Sequence, residues 1–430
     1  MKNRLLKNGL KIVAVENPST EVVTIQIWLK CGSVLEKDGE YGLSHFIEHL
    51  VFKGSRNHGV GEIANSVEKL GGEINAFTSS EYTCFYITLP VLYLREALIT
   101  LKDLVFYPAF VTDEIERERE VVLEEIRRSK DLPDRNVITN LLRDHFEGHA
   151  YSRPVLGFDN IISAVSPEKI KDYYSRFYRT TNATLVIAGS DKEKNMLDLA
   201  GEIFSELSKL NTVPVHIVEA KPKTKYTCAV EAMEVKELNI AIAFPIPGLL
   251  HEHIPAIDVL ALLFGQGESS RLYQRVRQEL GLVTTIYASS YTPKLGGGFI
   301  LGFTMEASKD EIEKLVEKVI FEIAEELKTV VEHGLSEEEI DKAKTVLLSE
   351  KIYERETVEN YGRKIGYLLS VTGKLDFDEI YAERLKKVSN KTIQDMIKHY
   401  VKPDRATVSM VLPKEIKINE SMFKKTISHA

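Results

Sequence analysis

His45, Glu48 and His49 stand within five residues of one another, in the run Leu43-Ser44-His45-Phe46-Ile47-Glu48-His49-Leu50. Residues four apart share a helical face, so two imidazoles at this spacing can aim nitrogens at one ion. Glu48 is three residues from His45 and directly precedes His49, a place beside such an ion without being a ligand. A catalytic zinc takes three protein ligands and keeps one position for water. A neighbouring carboxylate can then accept that water's proton, because the ion lowers its pKa to about 7. The third ligand must come from elsewhere, and Glu114, Glu116, Glu118, Glu120, Glu124 and Glu125 crowd a single downstream helical pattern. The same histidine spacing also suits an ordinary solvated helix face.

The other histidines suggest no second site. His145-Phe146-Glu147-Gly148-His149 repeats the spacing, but Gly148 weakens a helix there and no carboxylate-rich stretch accompanies it. His58, His216, His251, His253, His333, His399 and His429 belong to no constellation, and core or surface roles are expected for them.

The elements that must position the first cluster are legible from periodicity. Leu43, Phe46, Ile47 and Leu50 give the histidine segment an apolar stripe, which predicts a helix over 43–53. Before it, Leu10–Val15 and Val22–Leu29 read as strands, the second alternating Val and Ile with Thr and Gln as a half-buried strand does. After it come a helix from Gly61 to Leu70, strands at Glu73–Thr78 and Tyr82–Leu89, and charged helices at about 91–106 and 113–130. A helix starts at Pro167, and Ala183–Ala188 is a strand.

The second half echoes this order: a strand at Asn239–Phe244, a strand pair near 283–291 and 297–305, and helical stretches at 308–332 and 336–370. The closing Tyr400–Val411 mirrors Tyr178–Ile187. A repeat this long means duplicated domains. The boundary is expected in Val213–Lys225, giving domains 1–215 and 216–430. The mixture of strands and helices without strict alternation points to an α+β class with two sandwich-like domains.

Composition narrows the function. With 43% apolar and 28% charged residues and a net charge of −8, the chain is globular and lacks the basic field of a nucleic-acid binder. Its three cysteines, Cys31, Cys84 and Cys228, are dispersed and form no ligand pair or disulfide framework. No apolar run approaches the roughly 20 residues needed to cross a bilayer, and the N-terminus lacks a secretory apolar region. A cytoplasmic protein without membrane or nucleic-acid partners is expected.

H-x-x-E-H reverses the common zincin order. Its surroundings, Gly42 through Gly54, resemble the pitrilysin family, especially the mitochondrial-processing-peptidase-like branch. Gly71-Gly72-Glu73-Ile74-Asn75-Ala76-Phe77-Thr78-Ser79 resembles that family's substrate-binding edge strand, Ile115–Ile126 its glutamate helix, and Ser269–Arg277 a block of its second domain. The resemblance spans nearly the whole chain. It implies one zinc per chain held by His45, His49 and Glu125, with 75 residues between His49 and Glu125. It further implies Glu48 as general base, Glu118 as an accessory carboxylate, and Asn75, Ala76, Phe77 and Thr78 as the strand that holds substrate. The second domain, without a metal motif, would close over the first.

One departure stands out. The family usually carries an Arg followed seven positions later by a Tyr, both serving the substrate carbonyl. Arg277 fits the Arg, but Thr284 occupies the Tyr position, with Tyr287 and Tyr291 out of register. The expected function is a zinc metalloendopeptidase acting on extended peptides or unfolded polypeptides, as a homodimer or with a related chain. The alternatives are the metal-bearing subunit of a heterodimeric peptidase, or a non-catalytic peptide-binding or scaffold subunit of the same fold.

Overall fold

The computed structural model describes residues 1–190, 195–211, 215, 217–307 and 311–429. Two compact units emerge, and neither is a single stretch of sequence. The first comprises Met1–Arg127, Arg153–Ile217 and Lys351–Phe377; the second comprises Arg128–Ser152, Val218–Glu350 and Asp378–Ala430. The boundary expected at 215/216 falls where residues 212–214 and 216 lie outside those described.

The first unit is built on a six-stranded sheet of β1 (Lys2–Leu5), β2 (Lys11–Glu16), β3 (Val22–Leu29), β4 (Glu73–Thr78), β5 (Thr83–Pro90) and β6 (Ala183–Gly189), in the order β1-β2-β6-β3-β5-β4. The second carries β7 (Thr227–Met233), β8 (Glu237–Ile246), β9 (Thr285–Tyr291), β10 (Gly297–Glu306) and β11 (Thr407–Pro413), in the order β7-β11-β8-β10-β9. Without β1 the two orders coincide. In each, one parallel pair (β2 with β6, β7 with β11) is followed by three antiparallel pairings. Both domains therefore mix helix and strand, as the duplicated sequence pattern predicts.

Strand β3 departs from the expectation of a half-buried strand: seven of its eight residues are buried. Val23, Ile25, Ile27 and Leu29 enter the core that includes Phe46, Ile47 and Leu50. On the opposite face, Trp28 packs under Val358 and Ile365 of the helix Val358–Tyr367. Polar Gln26 survives burial because its Nε2 donates to the Glu359 carbonyl (3.0 Å) and its Oε1 accepts from Trp28 Nε1 (3.0 Å). Gly362 and Gly366 permit the approach, since a Cβ at Gly366 would lie 2.0 Å from Trp28 Nε1.

That covering helix belongs to the stretch expected as one helical run over 336–370. The run instead breaks between helices Glu337–Tyr353 and Val358–Tyr367, where the Thr357 side chain caps the Asn360 N–H at 3.1 Å. The second piece joins the first unit. The second unit's sheet is covered in turn by the helix Pro133–His145, whose Val137 and Leu141 pack on Ala241, Ala243, Ile300 and Val411. Among the described residues, no helix is long and apolar enough to cross a membrane.

Candidate metal centre

The helix Leu43–Val51 buries Leu43, Phe46, Ile47, Leu50 and Val51, and leaves Glu48 and His49 half-buried on its other side. His45 and His49 thereby sit one turn apart, their rings edge to face with centroids 4.6 Å apart. The long helix Thr112–Lys130 supplies the facing carboxylates. Glu125 Oε2 lies 3.6 Å from the Nε2 atoms of both His45 and His49. Donor atoms that share a tetrahedral zinc at about 2.1 Å stand about 3.4 Å apart, so this N, N, O set fits such an ion. It is the one group of three potential metal-ligand side chains that converges among the described residues.

The register of the third carboxylate is visible in the pairing along that helix. Glu114 pairs with Arg117, Glu116 with Arg119 and Glu124 with Arg127, whereas Glu118 and Glu125 turn to the histidines. Glu118 Oε1 lies 2.9 Å from His49 Nδ1, and its Oε2 lies 2.8 Å from Lys53 Nζ. The Nδ1 proton therefore sits toward Glu118, leaving the Nε2 lone pair facing Glu125. Lys53 escaped the sequence reading; it lies four residues after His49 and just past the helix, which ends at Val51 rather than at the expected 53.

The electrostatics follow from this packing. Burial, aided by the charge of His49, pushes the His45 imidazole down to about 3, so it stays neutral and able to ligate. Burial works in the same direction on His49, but the bond to Glu118 and the surrounding carboxylates carry it above the ordinary imidazole range. Glu118 is held below the usual carboxylate range: burial opposes this, and its bonds to His49 and Lys53 overcome it. Glu48 is raised, chiefly by burial, against the hydrogen bond that its Oε2 accepts from Thr78 Oγ1.

Thr78 links this cluster to the sheet edge. Strand β4 ends the sheet, paired on one side only with β5, and none of its residues is fully buried. Asn75, Ala76, Phe77 and Thr78 thus lie on one free edge, with the last bonded to Glu48. Ala76 and Ile74 face the core that holds the histidine helix; Phe77 lies on the opposite face, edge-on to Trp28 at 5.5 Å.

The remaining expected residues lie in the second unit. Arg277 is exposed, its guanidinium 4.7 Å from the Tyr273 ring. Thr284 is exposed, its hydroxyl donating to Glu237 at 3.2 Å. Tyr287 lies across Gly302, where a Cβ would come within 2.3 Å of its ring. His145 and His149 do not converge as a metal pair. His145 is buried against the Gly297 carbonyl at 3.1 Å, and His149 bonds the Val218 carbonyl at 2.9 Å.

Comparison with known proteins shows the family to which the chain belongs. Residues 11–159 match the model of insulinase (peptidase family M16), and residues 164–347 match that of the peptidase M16 inactive domain. A Rickettsia bellii protein described as an uncharacterized zinc protease is 30% identical over 375 residues, covering 86% of this chain and 87% of the relative. A Bacillus subtilis protein described as an uncharacterized zinc protease, YmxG, is 29% identical over 344 residues, covering 80% of this chain and 82% of the relative. The crystal structure of a protease from Helicobacter pylori shares the fold with a TM-score of 0.89 at 24% identity, covering 96% and 99% of the two chains. The chain belongs to the M16 family of peptidases, the insulinase and pitrilysin group.

Proposed function

We propose that this chain is a zinc metalloendopeptidase that hydrolyses extended peptides or unfolded polypeptides, with one zinc held by His45, His49 and Glu125. The observation that carries the reading is the convergence of those three side chains beside Glu48, itself tied through Thr78 to the free edge of β4. Zinc bound there would supply Lewis-acid polarisation of the scissile carbonyl and acidify a water.

The chain's own residues do the rest. Glu48 accepts the water's proton and returns it to the leaving amine, a task suited to a carboxylate that burial has made more basic. Glu118, with Lys53, fixes the tautomer and ring orientation of His49. Asn75, Ala76, Phe77 and Thr78 bind substrate by adding its backbone to β4 as a further strand, which folded proteins cannot offer. Arg277 is proposed, through the family resemblance, as an aid to turnover.

A second reading is supported by Thr284, which stands where the family usually has Tyr. The chain would then be the metal-bearing subunit of a heterodimer rather than a self-sufficient homodimer. The non-catalytic peptide-binding or scaffold subunit remains the third reading, which absence of metal and activity would favour. Free Cys31, Cys84 and Cys228 suit a reducing cytoplasmic setting, and the net charge of −8 suits a chain without nucleic-acid partners. The test is cleavage of a quenched peptide library by the purified chain, with and without chelator, beside Arg277→Ala. Chelator-sensitive cleavage that zinc restores is expected. Zinc-replete but inert chain would favour the heterodimer.

A further inference from the structure

His45 and His49 are held differently. His49 is oriented through its ring by Glu118, whereas His45 Nδ1 is buried with no hydrogen-bond partner among the described residues. No hydrogen bond at Nδ1 sets where His45 points, as Glu118 does for His49, so the placement of its backbone carries that task.

The first turn of its helix shows what does. The N-cap is Gly42, at φ 97°, which has no side chain to cap the turn. A Cβ there would lie 2.6 Å from the Leu156 carbonyl oxygen and 2.9 Å from Gly157 Cα, so the backbone is pressed against a neighbouring loop. Glu36, six residues upstream and 3% exposed, takes over the capping. Its Oε2 accepts from the Gly42 N–H and its Oε1 from the Ser44 N–H, each at 2.8 Å. Both oxygens of one buried carboxylate are committed to backbone donors that frame the turn. Ser44 is gripped a second time, its hydroxyl 2.8 Å from that of Tyr173.

Ser44 directly precedes His45, so its backbone position fixes the helical phase from which His45, Glu48 and His49 project. A rotation of about 10° about the helix axis would displace an imidazole nitrogen by about 1 Å. That exceeds the tolerance of roughly 0.2 Å that metal–ligand distances allow.

We infer that Glu36 is the positioning residue for His45, fixing through the backbone what Glu118 fixes for His49 through the ring. The inference rests on the zinc site proposed above. Burial pushes the Glu36 carboxyl up to about 7, with the Ser44 and Gly42 bonds opposing the rise, so its charged form depends on those donors.

The test compares wild type with Glu36→Gln, in which an amide can accept only one of the two N–H groups. Zinc affinity is measured by chelator competition, the site geometry by the visible spectrum of the cobalt-substituted chain, and folding by far-UV circular dichroism. Glu36→Gln is expected to fold, bind zinc about tenfold more weakly, shift the cobalt bands and lower kcat with KM little changed. If Glu36→Gln does not accumulate folded, Tyr173→Phe, which frees Ser44 from its other tie, should weaken zinc about twofold to fivefold and shift the same bands. Unchanged zinc affinity and cobalt bands in a folded variant would overturn the inference and leave Glu36 a structural cap. Wild type that binds no zinc would instead defeat the metal-site reading itself.

Discussion

The two units have the same sheet order but use the helix after the second matched strand in opposite ways. In the first, β3 leads to Leu43–Val51, whose polar residues His45, Glu48 and His49 line one side. In the second, β8 leads to Ile254–Gly265, where every residue except Asp258 is buried. Asp258 is spent on structure, accepting bonds from Ser290 and, at 2.7 Å, from Tyr381. The long helices diverge in the same way. Glu118 and Glu125 of Thr112–Lys130 face histidines, whereas Glu326 and Glu322 of Ile312–His333 are paired with Arg271 and Arg275, each at 2.9 Å. The sheet is thus a neutral scaffold. What makes one copy a candidate metal centre is imidazole, in place of aliphatic and guanidinium groups, opposite the carboxylates.

Removing the chemistry of the first unit without disturbing its metal is the sharpest way to reduce it to the state of the second. Glu48→Gln is expected to keep zinc and fold while kcat falls on the order of a hundredfold to ten-thousandfold. Parallel zinc quantitation and steady-state kinetics check this; loss of zinc would reassign Glu48 as a ligand.

The next effect concerns zinc uptake. Because His49 is raised above the usual imidazole range, protons compete with zinc for it on the acid side, and apparent affinity should fall as pH drops through that range. Glu118→Gln removes the main group that raises His49. Its midpoint should move to lower pH, while the high-pH affinity drops about tenfold to a hundredfold. Titration of zinc binding against pH reads both effects, and an unmoved midpoint would detach Glu118 from His49.

The exchanged helices should contribute stability in both units. Leu141→Ala, which hollows the contact of Pro133–His145 with the second sheet, is expected to cost about 2–5 kcal/mol. Gly366→Ala, which forces a methyl into the Trp28 ring, should cost about 1–3 kcal/mol. Denaturant unfolding measures each, and a neutral Gly366→Ala would contradict the close approach of that helix to β3.

Local signals were legible in the sequence. The apolar stripe of Leu43, Phe46, Ile47 and Leu50 defined the histidine helix, alternation defined β3, and a β-rich run defined β4. The repeated order of elements announced the duplication. Contacts distant in sequence were not legible. Thr24 and Gln26 read as solvent-facing because nothing near them reveals that Glu359 will satisfy Gln26 from 333 residues away. The break at Glu354–Thr357 lies in a charged stretch whose helical pattern continues, and only its Thr357 cap betrays it. In the centre itself, the histidine pair was readable from spacing. Glu125 among six candidate glutamates required the family resemblance, since helix periodicity cannot say which carboxylate faces a separate element. Lys53 and Glu36 had a weaker signal, a cation four residues beyond His49 and an acid shortly before the helix, which gained meaning only once the backbone was placed.

The central claim is the ligand set, and it is tested most directly by counting zinc in wild type, Glu125→Gln and Glu124→Gln purified side by side. The two glutamates are adjacent, yet one faces both histidines at 3.6 Å while the other pairs with Arg127. About one zinc per chain in wild type and Glu124→Gln, with little in Glu125→Gln, is the predicted result. Zinc retained by Glu125→Gln and lost from Glu124→Gln, or none in wild type, would contradict the account.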